Sequence, residues 1–362
     1  MNEQRKYVTI AVDMLGGDNA PDVVVAGVRL ALAADSDLNL VLTGPIAVVE
    51  PLEREFAGRV QAVPTTESIA MDEHPAQAVR TKKDSSIVVG CRLVNQGVAQ
   101  GFFSAGSTGA CLAAATLYIG RIKGVVRPAI ASLLPSPVAP IVFTDIGANA
   151  DVKPEYLVQF AQMARVYAEM IVGIDKPRIA LLNIGSEDTK GSQLALEAFS
   201  LMKAQVDGFV GNAEGNEILT GDFDVIVTDG FTGNVTLKAI EGTAKVLFDQ
   251  LKQIFSLSFK NKLAAAAVLP DLKALKDRLD ANQTGGAPLL GLKGVCIIGH
   301  GSSSPVGIAN GIAVAARSVR KDVVGHITQV ISAQADQTAP ADAAVQAAQA
   351  AQVVQDDATS PR

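Results

Sequence analysis

The feature of this sequence that most constrains its fold is a repeated unit of apolar strand, polar glycine-containing loop and helix. Several apolar strands end in loops that mix Gly with Asp, Asn, Ser or Thr, and helices follow most of them. The clearest example is 101–119, where a strand leads through SAGSTG into an apolar helical run. Alternating strands and helices predict an α/β fold, a doubly wound three-layer sheet with helices on both faces.

The polar loops predict where the active site lies. In doubly wound sheets ligands bind beyond the carboxyl ends of the strands, so we expect these loops to gather at one edge. Glycine-rich turns before helices leave backbone N–H groups free to hold an anion, although each glycine can equally serve only to close its turn. The residues that we expect to bind phosphate or substrate are Gly16, Gly17, Asp18, Ser104, Gly106, Ser107, Thr108, Gly109, Asp145, Asn149, Asn183, Gly185, Asn212, Glu214, Gly233, Gly301 and Ser302.

Few side chains in these loops are suited to acid–base chemistry. The sequence has no GxSxG elbow, no GxxxxGK[ST] loop and no GxGxxG before an early helix;. Its three histidines are isolated, which argues against a triad hydrolase;. His300, within GHGSSS, is the one histidine that we expect at a strand end. From motif and strand-end position, the candidate catalytic residues are Asp229, Asn234, Lys238 and His300.

Inorganic phosphate as the attacking group would explain this set of residues. Phosphate is already anionic at neutral pH, so its attack on an acyl group needs no general base. The enzyme then has to align two anionic partners and stabilise the developing oxyanion with fixed donors. The strand-end carboxylates could bind a metal, orient neighbours or cap helices, but no two have an EF-hand or HExxH spacing. We therefore expect neither a metal nor another cofactor.

Composition narrows the class of protein. The 362 residues can bury a large core, and the net charge of −6 argues against a nucleic-acid partner;. Three distant cysteines without CxxC spacing predict buried thiols in a reduced compartment, and the chain shows no signal-peptide or spanning segment. We expect a soluble, cytoplasmic protein. The candidate contacts for an anion or a carrier protein are Arg80, Lys82 and Lys83, each of which could instead be solvated surface.

Two segments depart from the repeated unit. Within Ala244–Leu269 a single predicted helix carries an apolar stripe surrounded by lysines;. Such a stripe is either core or subunit interface, or it touches a membrane surface. The Ala/Gln-rich tail at 333–362 is expected to lie outside the fold. The stripe consists of Phe248, Leu251, Phe255, Phe259 and Leu263, and on the membrane interpretation Phe248, Phe255 and Phe259 face the membrane.

Taken in order, the motifs resemble those of a known family. They are AVDMLGGDNAP, RTKKDSSI, FFSAGSTGA, RPAIA, DIGANADVKPEYLVQFAQMA, LLNIGSEDTKG, GNAEGNEI, VTDGFTGNV and GGAPLLGLKG. Together they cover the chain from about Tyr7 to Gly325 and resemble the acyl-ACP:phosphate acyltransferases of bacterial phospholipid synthesis. The resemblance implies transfer of a long fatty acyl group from acyl carrier protein to inorganic phosphate, which gives an acyl phosphate.

The resemblance also implies an architecture and partners. Members of this family are similar in fold to phosphotransacetylases and isocitrate or isopropylmalate dehydrogenases, and they form homodimers. They are cytosolic, associate peripherally with membrane through helices near the dimer tip, and supply a membrane glycerol-3-phosphate acyltransferase. For this chain we therefore expect one α/β catalytic unit over 1–332, with a protruding helical, membrane-facing excursion at 240–290.

Three other functions are compatible with the same residues. A phosphotransacetylase-like enzyme would catalyse the same reaction with acyl-CoA. An isopropylmalate-type dehydrogenase would need an arginine cluster and metal-binding carboxylates, neither of which is clear in the sequence, and a membrane-recruited scaffold would show no turnover. If the loops hold an anion, valine at Gly106 or Gly233 should abolish turnover while the protein stays folded.

Overall fold

A computed structural model describes residues 7–279 and 285–334, without the side chains of 274–279. The strands are β1 (Val8–Asp13), β2 (Leu38–Gly44), β3 (Val60–Pro64), β4 (Gly101–Ser104), β5 (Ala129–Leu134), β6 (Ile141–Thr144), β7 (Ile179–Leu182), β8 (Phe209–Ala213), β9 (Val225–Val227), β10 (Ala287–Leu290) and β11 (Val295–Ile298). The helices are α1 (Asp22–Ala34), α2 (Ile46–Glu55), α3 (Pro75–Thr81), α4 (Ser86–Asn95), α5 (Thr108–Ala114), α6 (Pro154–Tyr167), α7 (Gln193–Gln205), α8 (Gly230–Ser256), α9 (Phe259–Leu279) and α10 (Pro305–Arg320). Short π-helical turns, Ala115–Ile119 and Ala168–Val172, extend α5 and α6, and a further helix is described over 323–334.

All of these strands belong to one 11-stranded sheet, in the order β3-β2-β1-β4-β11-β10-β5-β6-β9-β7-β8. The strands β1 to β4 and β11 are parallel and form the first half, and the strands β6 to β9 are parallel and form the second half. Between the halves, β10 is antiparallel to both β11 and β5, and β5 is antiparallel to β6. The two halves therefore run in opposite directions.

Helices cover both faces of the sheet, which confirms the predicted three-layer α/β fold. In β1, Ile10 and Val12 pack with α1 and α10, whereas Ala11 packs on the opposite face with α4 and α5. In β6, Val142 packs with α6 and α7, whereas Phe143 packs on the face covered by α8. This alternation follows from the two-residue period of a strand, and near-continuous apolar strands are what a sheet covered on both faces requires.

The predicted stripe on a single helix over Ala244–Leu269 is wrong, because two helices occupy this segment. The backbone N–H of Asn261 donates to the Ser258 hydroxyl at 3.1 Å, and the Asn261 amide donates to the Ile254 carbonyl at 2.7 Å. Ser258 thus caps the start of α9 while Asn261 satisfies the end of α8. Phe259 and Leu263 lie on α9 and do not continue the stripe of α8.

The expected helical excursion at 240–290 also extends too far. Residues 287–290 form β10, which pairs with β11 and β5 in the centre of the sheet. Within this segment, α8 buries only Gly230 and Gly233, and α9 is largely exposed over 259–273, where its side chains are described. The predicted tail lies outside the described residues from 335 onward.

Two further observations concern the whole described chain. Among its helices none combines the length and apolar character needed to cross a bilayer. Cys91, Cys111 and Cys296 are free and buried, as predicted. Burial raises the pKa of all three thiols, that of Cys111 to about 12, so they act as small apolar side chains.

Candidate functional site

The loops that follow β1, β4 and β11 meet at the carboxyl edge of the first half. Ser104 donates through its hydroxyl to Asp13 Oδ2 at 2.7 Å, and the same hydroxyl accepts from the Gly106 N–H at 3.0 Å. Asp13 also accepts from the Leu15 N–H at 2.9 Å. Burial raises the pKa of the Asp13 carboxyl, against the lowering effect of these hydrogen bonds. Asp13, which we did not predict as a site residue, therefore fixes the SAGSTG loop from beneath.

Two of the glycines predicted to bind phosphate allow these loops to touch each other. A Cβ at Gly16 would lie 2.7 Å from the Gly106 nitrogen, and one at Gly17 would lie 3.2 Å from the Gly301 carbonyl oxygen. Gly17 has a φ of +115°, which L side chains rarely adopt;. The Asp18 N–H donates to the Gly301 carbonyl at 2.8 Å, which joins the loops after β1 and β11.

The start of α5 is the part of this edge best suited to an anion. Ser107 is the N-cap, and its hydroxyl accepts from the Ala110 N–H at 3.4 Å. The first N–H groups of a helix, here those of Thr108 and Gly109, have no partner within the helix. Helix α3 packs on α5, and a Cβ at Gly109 would lie 2.6 Å from Pro75 Cγ of α3. Pro75 therefore covers one side of the start of α5.

The cations predicted to contact an anion or a carrier protein lie at the end of α3, beside α5. Lys82 is not free, because its ammonium lies 2.6 Å from Glu73 and donates to the Ser68 carbonyl at 2.8 Å. Arg80 and Lys83 are exposed. Lys82 therefore stabilises the loop before α3. Arg80 and Lys83 remain candidate contacts for an anion or a carrier protein.

A second set of predicted residues surrounds Asp145, directly after β6. Its carboxylate accepts from the backbone N–H groups of Ile130 (3.0 Å), Ala148 (3.1 Å) and Asn149 (2.7 Å) and from the Asn149 amide (2.9 Å). Burial raises the pKa of the Asp145 carboxyl, opposed by these donors. A Cβ at Gly233 would overlap the Asp145 carbonyl oxygen. The glycine is thus required for α8 to dock on this loop.

The loop after β7 is closed by its own hydrogen bonds. Asn183 donates to the Lys190 carbonyl at 3.0 Å, and Asn212 donates to the Glu187 carbonyl at 2.9 Å. A Cβ at Gly185 would lie 2.9 Å from Glu187 Oε2. The Glu214 N–H donates to Glu217 at 2.7 Å. These predicted residues shape the loop at the carboxyl edge of the second half.

Because the halves run in opposite directions, the expectation that all loops gather at one edge is wrong. The loops share a face of the sheet instead. On β5, Ile130 packs with the cluster under α5, and Leu134 packs with the cluster under α8. Residues four apart on a strand point to the same face. Ile146 packs against both clusters. The loop over 145–149 therefore lies between α5 and α8.

The four candidate catalytic residues have different surroundings. Asp229 is the N-cap of α8, and its carboxylate accepts from the Thr232 N–H (2.8 Å) and hydroxyl (2.7 Å). Asn234 lies beside Gly147 in the 145–149 loop. Lys238 is paired with Glu241 at 2.7 Å. His300 Nδ1 lies 2.8 Å from the Ser302 hydroxyl, on the first-half edge. Asp229 and Asn234 therefore both lie next to the Asp145 loop, whereas His300 lies with the loops that follow β1, β4 and β11.

Arg127 is a cation that we did not predict as a site residue, although it lies in the RPAIA motif. It is exposed and precedes Pro128, whose carbonyl accepts from the Asn149 amide at 2.8 Å. This contact places the Arg127 backbone next to the Asp145 loop and the start of α8. A cation at that position suits an anionic substrate.

A cavity of about 1000 Å³ adjoins the second set of loops. One face of α8 lines it, opposite the ends of β5, β7 and β9 and the loop before α7. Asp229, Thr232 and Asn183 belong to its lining, whereas most of its other lining residues are apolar. Among residues 7–279 and 285–334, no three His, Cys, Asp or Glu side chains are grouped so as to hold a metal ion.

The sheet order and the two sets of loops define an α/β protein with the fold of phosphotransacetylases. A phosphotransacetylase from Streptococcus pyogenes superposes with a TM-score of 0.58 at 18% identity, covering 87% of this chain and 95% of that one. The EutD phosphotransacetylase from Staphylococcus aureus gives 0.55 at 18% identity, covering 87% and 94%. At such identities the likeness shows the fold alone.

Sequence comparison identifies the family. The family described as "Fatty acid synthesis protein" matches residues 8–326. A phosphate acyltransferase from Halothermothrix orenii is 44% identical over 331 residues, which are 89% of this chain and 98% of the relative. Another, from Desulfitobacterium hafniense strain Y51, is 47% identical over 321 residues, which are 88% and 96%. The chain belongs to this fatty acid synthesis protein family, and the resemblance inferred from its motifs is confirmed.

Proposed function

We propose that this protein transfers a long-chain fatty acyl group from acyl carrier protein to inorganic phosphate. The observation that carries the proposal is the match of nearly the whole chain to relatives named phosphate acyltransferase. In the reaction, a phosphate oxygen attacks the thioester carbonyl carbon, a C–O bond forms and the C–S bond breaks. The thiolate leaves and takes up a proton as the carrier thiol, and the acyl phosphate is released.

The geometry supports this chemistry in two ways. The start of α5 and the Asp145 loop are rigid and polar, and both lie on one face of the sheet. Because buried carboxylates hold these loops in place, N–H groups that the loops leave free do not need to reorganise when charge develops on the carbonyl oxygen. Asn234 and Asp229 lie where the loop meets α8, with the Arg127 backbone next to it. We propose that an anionic partner binds there.

The proposal extends to partners and location. Acyl carrier protein is the proposed donor, with exposed Arg80 and Lys83 as candidate contacts. We propose a homodimer in the cytoplasm that associates peripherally with membrane through α8 and α9, where Phe259 is 75% exposed. Its acyl phosphate would then be close to a membrane glycerol-3-phosphate acyltransferase.

A trapping assay tests the donor. Purified protein is incubated with phosphate and either palmitoyl-ACP or palmitoyl-CoA, and hydroxylamine converts any acyl phosphate to the hydroxamate. We expect phosphate-dependent hydroxamate from palmitoyl-ACP, and much less from palmitoyl-CoA. Product from the CoA thioester alone would replace the proposal with a phosphotransacetylase-like activity. Absence of product from both donors would reject acyl transfer to phosphate.

A further inference from the structure

We infer that the cavity beside α8 holds the acyl chain of the donor, with the thioester at the end near Asp229. The inference rests on the proposed function and deepens it by assigning a place to the chain. The cavity contains one of the candidate catalytic residues in its lining, so a chain bound there would present its carbonyl to the site.

The polarity of the lining changes along the cavity. Around the start of α8 it includes several polar groups, and Thr236, Glu241 and Thr243 also line the cavity farther along the helix. Beyond Thr243 the lining residues of α8 are all apolar. The residues that repeat every three or four positions form one continuous face of α8. The polar end has Asn183, Ser192, Thr228, Asp229 and Thr232, and the apolar end has Ala244, Leu247, Phe248 and Leu251. A molecule with one polar end and a long apolar body fits this gradient.

The dimensions fit a long chain. The volume of about 1000 Å³ lies at the upper end of the range for small-molecule sites, about 300–1000 Å³. From Thr232 to Leu251 the helix rises about 28 Å. One leaflet of a bilayer, and so one membrane-length acyl chain, spans about 15 Å. The cavity is therefore long enough for the whole chain.

Apolar side chains of the lining are exposed to water. The exposed fraction is 82% for Ile184, 54% for Val235 and 59% for Leu247. Covering such surfaces is favourable, and an acyl chain would cover them from inside the cavity. A second copy of the protein is the other possible occupant, but it would not account for the polar end beside Asp229.

Tryptophan substitutions that fill the cavity at two depths test the inference. Ala239 and Ala244 line the cavity about 10 Å and 18 Å along α8 from Thr232;. Gln250→Trp places the same side chain at an exposed position of α8 outside the lining and serves as the control. For each variant, kcat/KM is measured with decanoyl-ACP and with palmitoyl-ACP.

We expect Ala239→Trp to lower the ratio of palmitoyl to decanoyl kcat/KM at least tenfold. Ala244→Trp should lower the ratio less, and Gln250→Trp should leave it unchanged. Each methylene group that loses its apolar contact accounts for about a fourfold change. An unchanged ratio in both cavity variants would overturn the inference while the proposed function stands. An equal loss for both donors, with a changed mass by light scattering, would also overturn it in favour of a second copy.

A direct binding measurement separates failure of the inference from failure of the proposed function. If the wild-type protein makes no acyl phosphate, fluorescence of parinaric acid still reports on the cavity. Binding that Ala239→Trp weakens at least tenfold and Gln250→Trp leaves intact would keep the cavity as an acyl-chain site. Binding equal in both variants would remove the assignment.

Discussion

Asp13 and Asp145 are buried carboxylates, each at the end of a strand and each the centre of a hydrogen-bond network. Neither projects into open space, so their role is to hold loops in place. From the sequence we listed Asp145 among the substrate-binding residues and left out Asp13. Strand-end position identifies such residues, but whether a carboxylate faces a ligand or a backbone depends on loop contacts that the local sequence does not determine.

The raised pKa of Asp13 predicts a pH dependence of stability. As the pH rises above 3.8, the ordinary pKa of an Asp carboxyl, Asp13 loses its proton in the unfolded chain before it does so in the folded protein. The free energy of unfolding then decreases as pH rises towards the folded-state pKa, by up to about 1.4 kcal/mol per pH unit. We expect the stability of the wild type relative to Asp13→Asn to decrease over this window and then level off. Urea unfolding of both proteins across it measures this, and a relative stability that increases with pH would contradict the prediction.

Gly106 offers the sharpest test of the SAGSTG loop. A Cβ there would lie 3.1 Å from the Ser104 hydroxyl and 3.3 Å from Ile87 Cδ1. These are side-chain atoms that can shift, so Gly106→Ala should remain folded at a cost of about 1 kcal/mol. If the loop holds phosphate, the KM for phosphate should rise about tenfold or more. Wild-type kinetics in a folded variant would argue against the loop as the phosphate site.

At the scale of elements, docking of α8 depends on Gly233. Any side chain at Gly233 meets the Asp145 carbonyl oxygen. Gly233→Val would therefore disturb the packing of α8 and cannot test anion access, contrary to our expectation from the sequence. Gly233→Ala should destabilise the protein by about 1–3 kcal/mol. A Cβ at Gly242, also on α8, would meet nothing within 4 Å, and Gly242→Ala should be neutral or stabilising by up to about 1 kcal/mol. Thermal unfolding compares them, and equal effects would show that the close approach is not required.

The start of α9 carries the prediction for membrane contact. Phe259 is 75% exposed there, whereas Phe255 is half-buried and Phe248 lines the cavity. Phe259→Glu should weaken binding to phosphatidylglycerol vesicles about tenfold or more, since inserting a Phe contributes about 1.5–3 kcal/mol. Ala264→Glu adds the same charge at an exposed position of α9. Equal losses in both variants would attribute the effect to charge and not to insertion of Phe259.

The elements that repeat the strand, loop and helix unit were predictable, and those that interrupt it were not. β1, β4 and β11 end in the predicted polar loops. The link over 135–140 is too short for a parallel crossover;, so the antiparallel β5 and β6 could have been recognised by length. The break between α8 and α9 had a signal in Ser258 and Asn261, which the long apolar pattern concealed.

At the scale of the whole molecule, the reversal between β11 and β6 decides how the site is assembled. Four strand spacings separate β4 from β6, about 19 Å in the sheet;. In a uniformly parallel sheet all of the polar loops would lie at one edge. Here the two sets of loops lie on the same face of the sheet, and the 145–149 loop lies between them. Long-range strand order is a property of the complete sheet, so local motifs indicate candidate residues but not that these residues form two sets.

The measurement that tests the central claim most directly follows the phosphorus atom. The protein is incubated with radioactive inorganic phosphate and palmitoyl-ACP, and the mixture is extracted with organic solvent. Acyl transfer to phosphate predicts label in the organic phase, in a one-to-one ratio to the carrier thiol released. Release of the thiol with all label left in the aqueous phase would show that water accepts the acyl group, which would contradict the claim.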